Sequence, residues 1–221
     1  MNLYPLAKAL TYIYIRFMYK ITYEGLENIP ADQGFILSSN HQTFYDPLFI
    51  AHKVKPQMHF MAKAEFFDKK IVGWLFRSLG AFPVQRGKSD KSAMDTARKI
   101  IESGDVMAIF PEGTRSKDGN PMRPKPGVAM VAGMVGCGVQ PVGISYMGRL
   151  RFRKKVTVRY APFLSARSLA IDAKSTATIR RASYMVMDAI VGAMDPDCYD
   201  TYSKAADKEK GDKTTHADHD S

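Results

Sequence analysis

A histidine and an aspartate stand five residues apart in the segment Asn40-His41-Gln42-Thr43-Phe44-Tyr45-Asp46-Pro47. An imidazole takes up a proton near neutral pH, and a carboxylate on its other ring nitrogen holds the ring in place. The chain has neither a Gly-x-Ser-x-Gly elbow nor a cysteine motif suited to covalent catalysis. The pattern therefore predicts His41 as a general base that activates a hydroxyl of the substrate directly. The alternative is a purely structural histidine.

Asp46 has two predicted roles. Five residues along a continuous helix place two side chains about 140° apart, so only a turn would bring Asp46 to His41. Pro47 favours such a turn, because proline restricts the residue before it and suits the first position of a helix. A carboxylate at a helix start is also a common cap. The sequence thus predicts orientation of His41 and capping equally, and the two roles are compatible.

The second segment with chemical potential is Phe110-Pro111-Glu112-Gly113-Thr114-Arg115-Ser116. A turn that contains glycine presents backbone N–H groups to an anion, and an arginine fork matches phosphate oxygens. An ionised Glu112 does not bind phosphate, so we expect it to position Arg115 or a substrate hydroxyl. The alternative is an ion pair between Glu112 and Arg115 that only stabilises the turn.

Short apolar runs alternate with helical patterns beyond residue 30, which predicts an α/β fold. We expect one domain with a central mixed, mostly parallel sheet flanked by helices. The predicted strands are 34–39, 58–62, 81–85, 106–110, 139–144 and 156–160, and the predicted helices are 47–53, 65–79, 89–102, 127–135 and 173–194. Both polar segments then follow strand ends, where open α/β sheets place ligands.

The first residues predict a helix of a different kind. Residues 3–19 are rich in aromatic and aliphatic side chains, but Lys8 and Arg16 interrupt them, so the run is too short to cross a bilayer. Such a composition is typical of an amphipathic helix at a membrane interface, and a helix packed on the domain is the alternative. We expect residues 1–22 to be this segment, 23–200 the catalytic domain and 201–221 a disordered polar tail.

The net charge of +10 is concentrated in one stretch. No acidic residue interrupts a cluster formed by Arg149, Arg151, Arg153, Lys154, Lys155 and Arg159. Such a cluster suits a membrane surface with anionic lipids, phosphorylated substrates or nucleic acid, or is simply solvated. No nucleic-acid partner is expected, because no recognised module is present. Cys137 and Cys198 lack disulfide or metal spacing, which predicts a reducing cytoplasm and no metal site.

Taken together, the two segments resemble the glycerolipid acyltransferase family, in particular 1-acyl-sn-glycerol-3-phosphate acyltransferases of the PlsC type. Two further blocks occur in the family's order, one at Lys63-x-Glu65-Phe66 leading to Gly80-Ala81-Phe82-Pro83-Val84-Gln85-Arg86, the other at Val139-Gln140-Pro141-Val142-Gly143-Ile144. The resemblance covers about residues 24–162. Thr43 stands where the family often has serine, which preserves a hydroxyl.

The resemblance implies a reaction and a set of site residues. A fatty acyl group would pass from acyl-CoA or acyl carrier protein to the sn-2 hydroxyl of lysophosphatidate, giving phosphatidate in phospholipid synthesis. His41 would be the base and Asp46 its orienting partner, without metal or prosthetic group, at the cytoplasmic face of the membrane. The substrate phosphate would lie against Lys63, Arg86, Glu112, Gly113, Thr114 and Arg115. Glycerol-3-phosphate, another lysolipid such as lyso-ornithine lipid, and a non-catalytic protein that binds anionic lipid remain alternatives.

Overall fold

The computed structural model describes residues 4–84 and 91–199 of the 221-residue chain. Seven strands form one sheet in the order β1-β7-β6-β2-β5-β3-β4. They are β1 (Tyr19–Glu24), β2 (Phe35–Ser39), β3 (Met58–Lys63), β4 (Ala81–Val84), β5 (Val106–Ile109), β6 (Val139–Ser145) and β7 (Lys154–Tyr160). Within these ranges neighbouring strands run parallel except β6 and β7. The predicted mixed, mostly parallel sheet is confirmed.

Helices cover both faces of this sheet. They are α1 (Tyr4–Met18), α2 (Asp46–Ala51), α3 (Lys70–Ser78), α4 (Lys91–Glu102), α5 (Gly127–Val135), α6 (Ala166–Leu169) and α7 (Thr176–Gly192). The central strand β2 shows why both faces must be covered. Phe35 and Leu37 belong to the core beneath α1 and α2, whereas Ile36 belongs to the core beneath α4, α5 and α7. A strand buried on both faces reads as a continuous apolar run, as β2 does.

Most predicted elements are present with small shifts of their ends. Residues 65–79 are divided between a 3-10 turn at Ala64–Phe66 and the helix α3. The predicted ends at Gln85 and Ser89 lie outside the described residues. Pro83 lies in β4, an edge strand of the sheet, where the missing N–H donor of proline is tolerated.

Strand β1 was not predicted. Sequence analysis assigned its first residue to the N-terminal helix, and the boundary predicted between residues 22 and 23 cuts the strand. Its residues alternate between inward and outward positions, with Tyr19 and Ile21 buried and Lys20 and Thr22 exposed. This period of two suits a strand, and β1 pairs in parallel with β7 along its whole length.

Helix α1 packs on the domain through a few residues. The Tyr4 hydroxyl accepts a hydrogen bond from the Met58 amide at 3.0 Å, and Lys8 donates to the carbonyl of Val54. Ile15 is fully buried. No helix among residues 4–84 and 91–199 has the length and apolar content needed to cross a membrane.

Candidate active site

The site lies where β2 and β5 end, side by side at the middle of the sheet. Ser38 pairs with Ile109 in these strands, and its hydroxyl donates to the Ile109 carbonyl at 3.0 Å. Asn40, the first residue beyond β2, is buried and joins β6: its amide donates to the Ile144 carbonyl at 2.9 Å and accepts from the Ile144 amide at 2.8 Å. This pair of hydrogen bonds fixes the point at which the chain leaves the sheet, just before His41.

The turn after Asn40 brings His41 and Asp46 together. His41 Nδ1 lies 2.8 Å from Asp46 Oδ2. The same oxygen accepts the backbone amides of Gln42 at 2.6 Å and Thr43 at 2.7 Å, while Oδ1 accepts the Thr43 hydroxyl at 2.8 Å. Because a carboxylate only accepts hydrogen bonds, Nδ1 carries the ring proton and Nε2 keeps its lone pair.

These contacts decide between the two roles predicted for Asp46. The side chain points back into the turn that precedes α2, and Asp46 is the first residue of the helix rather than its cap. The capping position belongs to Tyr45, with no side-chain cap bond. The predicted capping role is therefore wrong, whereas the contact with His41 is present.

The imidazole ring is fixed on its face as well as at its edge. It stacks on Phe110 with the ring centroids 4.0 Å apart and the planes 18° apart. The side chain of His41 keeps 19% of its surface exposed. Among the described residues, no protein atom is hydrogen-bonded to Nε2, which leaves this nitrogen available to a substrate.

Glu112 joins the second segment to the first. Its Oε1 accepts the His41 amide at 2.8 Å and its Oε2 accepts the Met122 amide at 3.2 Å, and the residue is only 2% exposed. Burial raises the pKa of Glu112 to about 7, against the opposing effect of the two backbone bonds. The carboxylate of Glu112 is thus bound by two backbone amides, and it forms no contact with Arg115 among the described residues. Its role at the substrate phosphate stays a prediction.

Two further bonds hold the loop after Glu112 around the His41 turn. The His41 carbonyl accepts the Ser116 amide at 2.7 Å, and the Gln42 side chain donates to the Gly119 carbonyl at 3.1 Å. The two segments, about seventy residues apart in sequence, therefore form one structure. The His41 turn cannot shift without moving the loop.

Lys125 lies against the glycine turn and was not predicted from the sequence. Gly113 has a φ of +69°, and a Cβ there would lie 2.9 Å from Cδ and 3.0 Å from Nζ of Lys125. The lysine side chain therefore lies directly over the turn, and its backbone amide donates to the Pro111 carbonyl at 2.7 Å. In the sequence, Lys125 could have been recognised only as a cation near the end of the same loop, just before the glycine that starts α5.

Arg115 lies at the exposed rim of the same turn. Its guanidinium stacks over the ring of Phe44, with 3.7 Å between the guanidinium carbon and the ring centroid. The ion pair with Glu112 weighed as an alternative is not formed in the described part of the chain. Stacking leaves the planar N–H donors at the edge of the guanidinium free to point away from the ring.

The other two predicted cations are only partly tested. Lys63 ends β3, the neighbour of β5, so its backbone lies at the same edge of the sheet as the site. Its side chain and the whole of Arg86 lie outside what the structure describes.

A sheet of this topology with a histidine–aspartate pair beside a glycine-containing turn defines the class of protein. The acyltransferase family model matches residues 20–145, and the chain belongs to the acyltransferase family. It is also similar to a solved structure, that of the 1-acyl-sn-glycerophosphate (LPA) acyltransferase PlsC from Thermotoga maritima. That similarity has a TM-score of 0.68 and 26% identity, and covers 86% of this chain and 78% of the other.

Similar proteins carry two names. The chain is 36% identical over 98 residues to the 1-acyl-sn-glycerol-3-phosphate acyltransferase of Bacillus subtilis (strain 168). This alignment covers 44% of this chain and 49% of that protein. It is 32% identical over 135 residues to the lyso-ornithine lipid O-acyltransferase of Pseudomonas aeruginosa PAO1. This alignment covers 60% of this chain and 49% of that protein. The chain spans about half the length of the curated relatives it matches.

Proposed function

We propose that this chain transfers a fatty acyl group from acyl-CoA or acyl carrier protein to the sn-2 hydroxyl of 1-acyl-sn-glycerol-3-phosphate, forming phosphatidate. The observation that carries the proposal is the His41–Asp46 pair, held at 2.8 Å beside the glycine turn at the centre of the sheet. The family membership supports acyl transfer, and the name of the Bacillus subtilis relative supports the acceptor.

The chemistry follows from the one open ring nitrogen. As the acceptor hydroxyl attacks the thioester carbon, its proton passes to Nε2 of His41, and the buried carboxylate of Asp46 stabilises the imidazolium. The carbon–sulfur bond then breaks, and the imidazolium returns the proton to the departing thiolate. An ester and a free thiol result, so the step needs no covalent enzyme intermediate, metal ion or prosthetic group.

The turn beyond Phe110 would hold the phosphate. Arg115 offers a fork of donors, Lys125 a point charge, and the backbone of Gly113 and Thr114 further N–H groups. We retain Lys63 and Arg86 as phosphate ligands on the family resemblance. Glu112 would in addition position the base, because its carboxylate accepts the His41 amide.

Association with a membrane fits a lipid acceptor. Four apolar residues of α1 lie within an arc of about 60° at 100° per residue, and all are more than half exposed: Leu6, Leu10, Ile13 and Phe17. An exposed stripe of this kind is typical of a helix that lies in the interface plane. The protein would then be peripheral or monotopic at the cytoplasmic face of the membrane. The soluble thioester would reach the site from the aqueous side.

A second acceptor has specific support. The Pseudomonas aeruginosa relative is named for lyso-ornithine lipid, and acceptor choice within one fold depends on the shape and polar groups of the pocket. The two acceptors differ where the turn would act, because the ornithine headgroup carries no phosphate.

The decisive experiment measures transfer of labelled palmitoyl from its CoA thioester to lysophosphatidate, lyso-ornithine lipid and glycerol-3-phosphate in separate reactions, repeated with acyl carrier protein as donor. His41→Ala should lower kcat about 1000-fold, as expected on loss of a general base. The chain offers a matched control in His59, which contacts Asp105 at 3.1 Å far from the site. Full activity of His41→Ala, or label in none of the products with either donor, would overturn the proposal.

A further inference from the structure

A second exposed surface lies beside the C-terminal end of α1. The chain between β6 and β7, residues 146–153, turns back against this helix end, where the Arg153 amide donates to the Met18 carbonyl at 2.6 Å. Phe17 and Phe152 contact each other with ring centroids 5.5 Å apart, yet both stay more than half exposed. We call residues 147–155 together with Phe17 and Lys20 the hairpin edge.

The charge of the hairpin edge is of one sign. Arg149, Arg151, Arg153 and Lys155 are all exposed, and no acidic residue occurs in α1 or between residues 146 and 155. The strand register makes this more pronounced, because Lys20 of β1 stands opposite Lys155 of β7 and both are exposed. Like charges opposite each other in a sheet are destabilising unless a counter-charge relieves them.

Residues next to the hairpin edge contact the candidate active site. Tyr146, the first residue beyond β6, lies beside Thr43 in the turn that carries His41. Tyr14 of α1 and Tyr19 of β1 contact the ring of Tyr45 in the same turn at 6.4 and 5.7 Å between centroids. A surface that rested against the hairpin edge would therefore rest next to the site.

We propose that the hairpin edge binds the anionic headgroups of a bilayer, with Phe17 and Phe152 entering the interface and the arginines lying at the phosphates. Exposed aromatic rings among cations favour this occupant over an acidic carrier protein, because rings enter a lipid interface whereas a soluble acidic helix would leave them in water. The inference rests on the membrane association proposed above, but not on the transfer reaction.

The test is sedimentation with vesicles of pure phosphatidylcholine and with vesicles containing 30% phosphatidylserine, about the proportion that gives a strong surface potential. Arg149→Gln with Arg151→Gln should weaken partitioning to the anionic vesicles about 30-fold, from the usual contribution of two basic residues. Binding to phosphatidylcholine should change less than twofold. Phe152→Ser should weaken binding to both vesicle types.

Two other variants separate this inference from the membrane proposal itself. Lys99→Gln with Lys174→Gln removes the same charge from exposed positions on the opposite face of the sheet, and should leave partitioning within twofold. Leu10→Gln with Ile13→Gln alters the α1 stripe alone. Loss of binding in the α1 variant with none in the arginine variant would overturn the inference while leaving membrane association intact.

Two further outcomes would also overturn the inference that the hairpin edge binds anionic headgroups. If the arginine variant binds vesicles normally but raises KM for acyl carrier protein, the edge contacts that protein instead. If the wild-type chain sediments with neither vesicle type, both the inference and the membrane proposal fail. Thermal unfolding of each variant verifies that the substitutions leave the fold intact.

Discussion

Two histidine–aspartate pairs lie at opposite ends of the same sheet. His41 and Asp46 stand 2.8 Å apart beyond the carboxyl end of β2, and His59 and Asp105 stand 3.1 Å apart near the amino ends of β3 and β5. The histidines are equally accessible, with side chains 19% and 20% exposed. The aspartates are not, with side chains 1% and 32% exposed.

The surroundings of the carboxylates account for the difference. Besides the imidazole, Asp46 accepts two backbone amides and a hydroxyl, all from the turn itself. Asp105 accepts one backbone amide, that of Gln57, at 3.2 Å. A buried carboxylate held by several hydrogen bonds fixes the orientation of a neighbouring ring more strictly than a solvated carboxylate does. The two pairs share their residue types but not their surroundings, and we expect only His41 to act as a base.

The largest expected effect comes from removing the charge of Asp46, with the same substitution at Asp105 as the comparison. Asp46→Asn should lower kcat about 1000-fold, because an amide no longer selects the Nδ1–H tautomer and cannot stabilise the imidazolium. Asp105→Asn should change kcat less than twofold. The measurement is steady-state transfer at saturating thioester, with circular dichroism to verify folding. Comparable losses of kcat in both variants would contradict the expected difference between the two pairs.

A smaller effect should follow from the cations beside the first pair. Arg115→Ala and Lys125→Ala should each raise KM for lysophosphatidate about 10- to 100-fold, the range expected for one charged hydrogen bond, with a smaller change in kcat. Lys99→Ala, an exposed lysine on α4, is the matched control. A loss confined to kcat would place these residues in some other role than phosphate binding.

The third effect concerns stability rather than rate. Burial raises the pKa of Glu112 from 4.5 to about 7, so the folded chain binds this proton more tightly than the unfolded chain. Its contribution to the free energy of unfolding is present below pH 4.5 and is lost as the pH rises to about 7, by at most about 3 kcal/mol. Glu112→Gln should remove this slope from denaturant titrations at pH 4.5, 6 and 7.5. A variant curve parallel to that of the wild type would contradict the raised pKa.

Local patterns in the sequence were enough for much of the molecule. The strands β2 and β5 beneath the site are buried apolar runs, and the helix 127–135 has the predicted bounds. The pairing of His41 with Asp46 was also predictable, because Pro47 leaves few conformations to the residues before it. Strand β1 was missed because its alternating pattern follows an aromatic helix without a break.

Contacts distant in sequence account for what could not be predicted. Glu112 looked like a ligand for a cation, and nothing local indicated that the His41 amide would be its partner. Lys125 lies over Gly113 because the loop closes on Pro111 through the Lys125 amide shortly before α5 starts. Such contacts depend on how the loop returns to the sheet, which periodicity and spacing do not encode.

The smallest expected effect comes from deleting the second pair altogether. With Asp105 one-third exposed, the contact is close to a surface ion pair, which contributes about 0.2–1 kcal/mol. His59→Ala should therefore lower the free energy of unfolding by no more than about 1 kcal/mol and leave transfer within twofold of the wild type, as urea titration and the palmitoyl assay would measure. A rate loss in this variant without loss of stability would mean that the amino end of the sheet takes part in the reaction. Equal rates would leave burial of the aspartate, and the turn that accompanies it, as what separates a catalytic pair from a structural one.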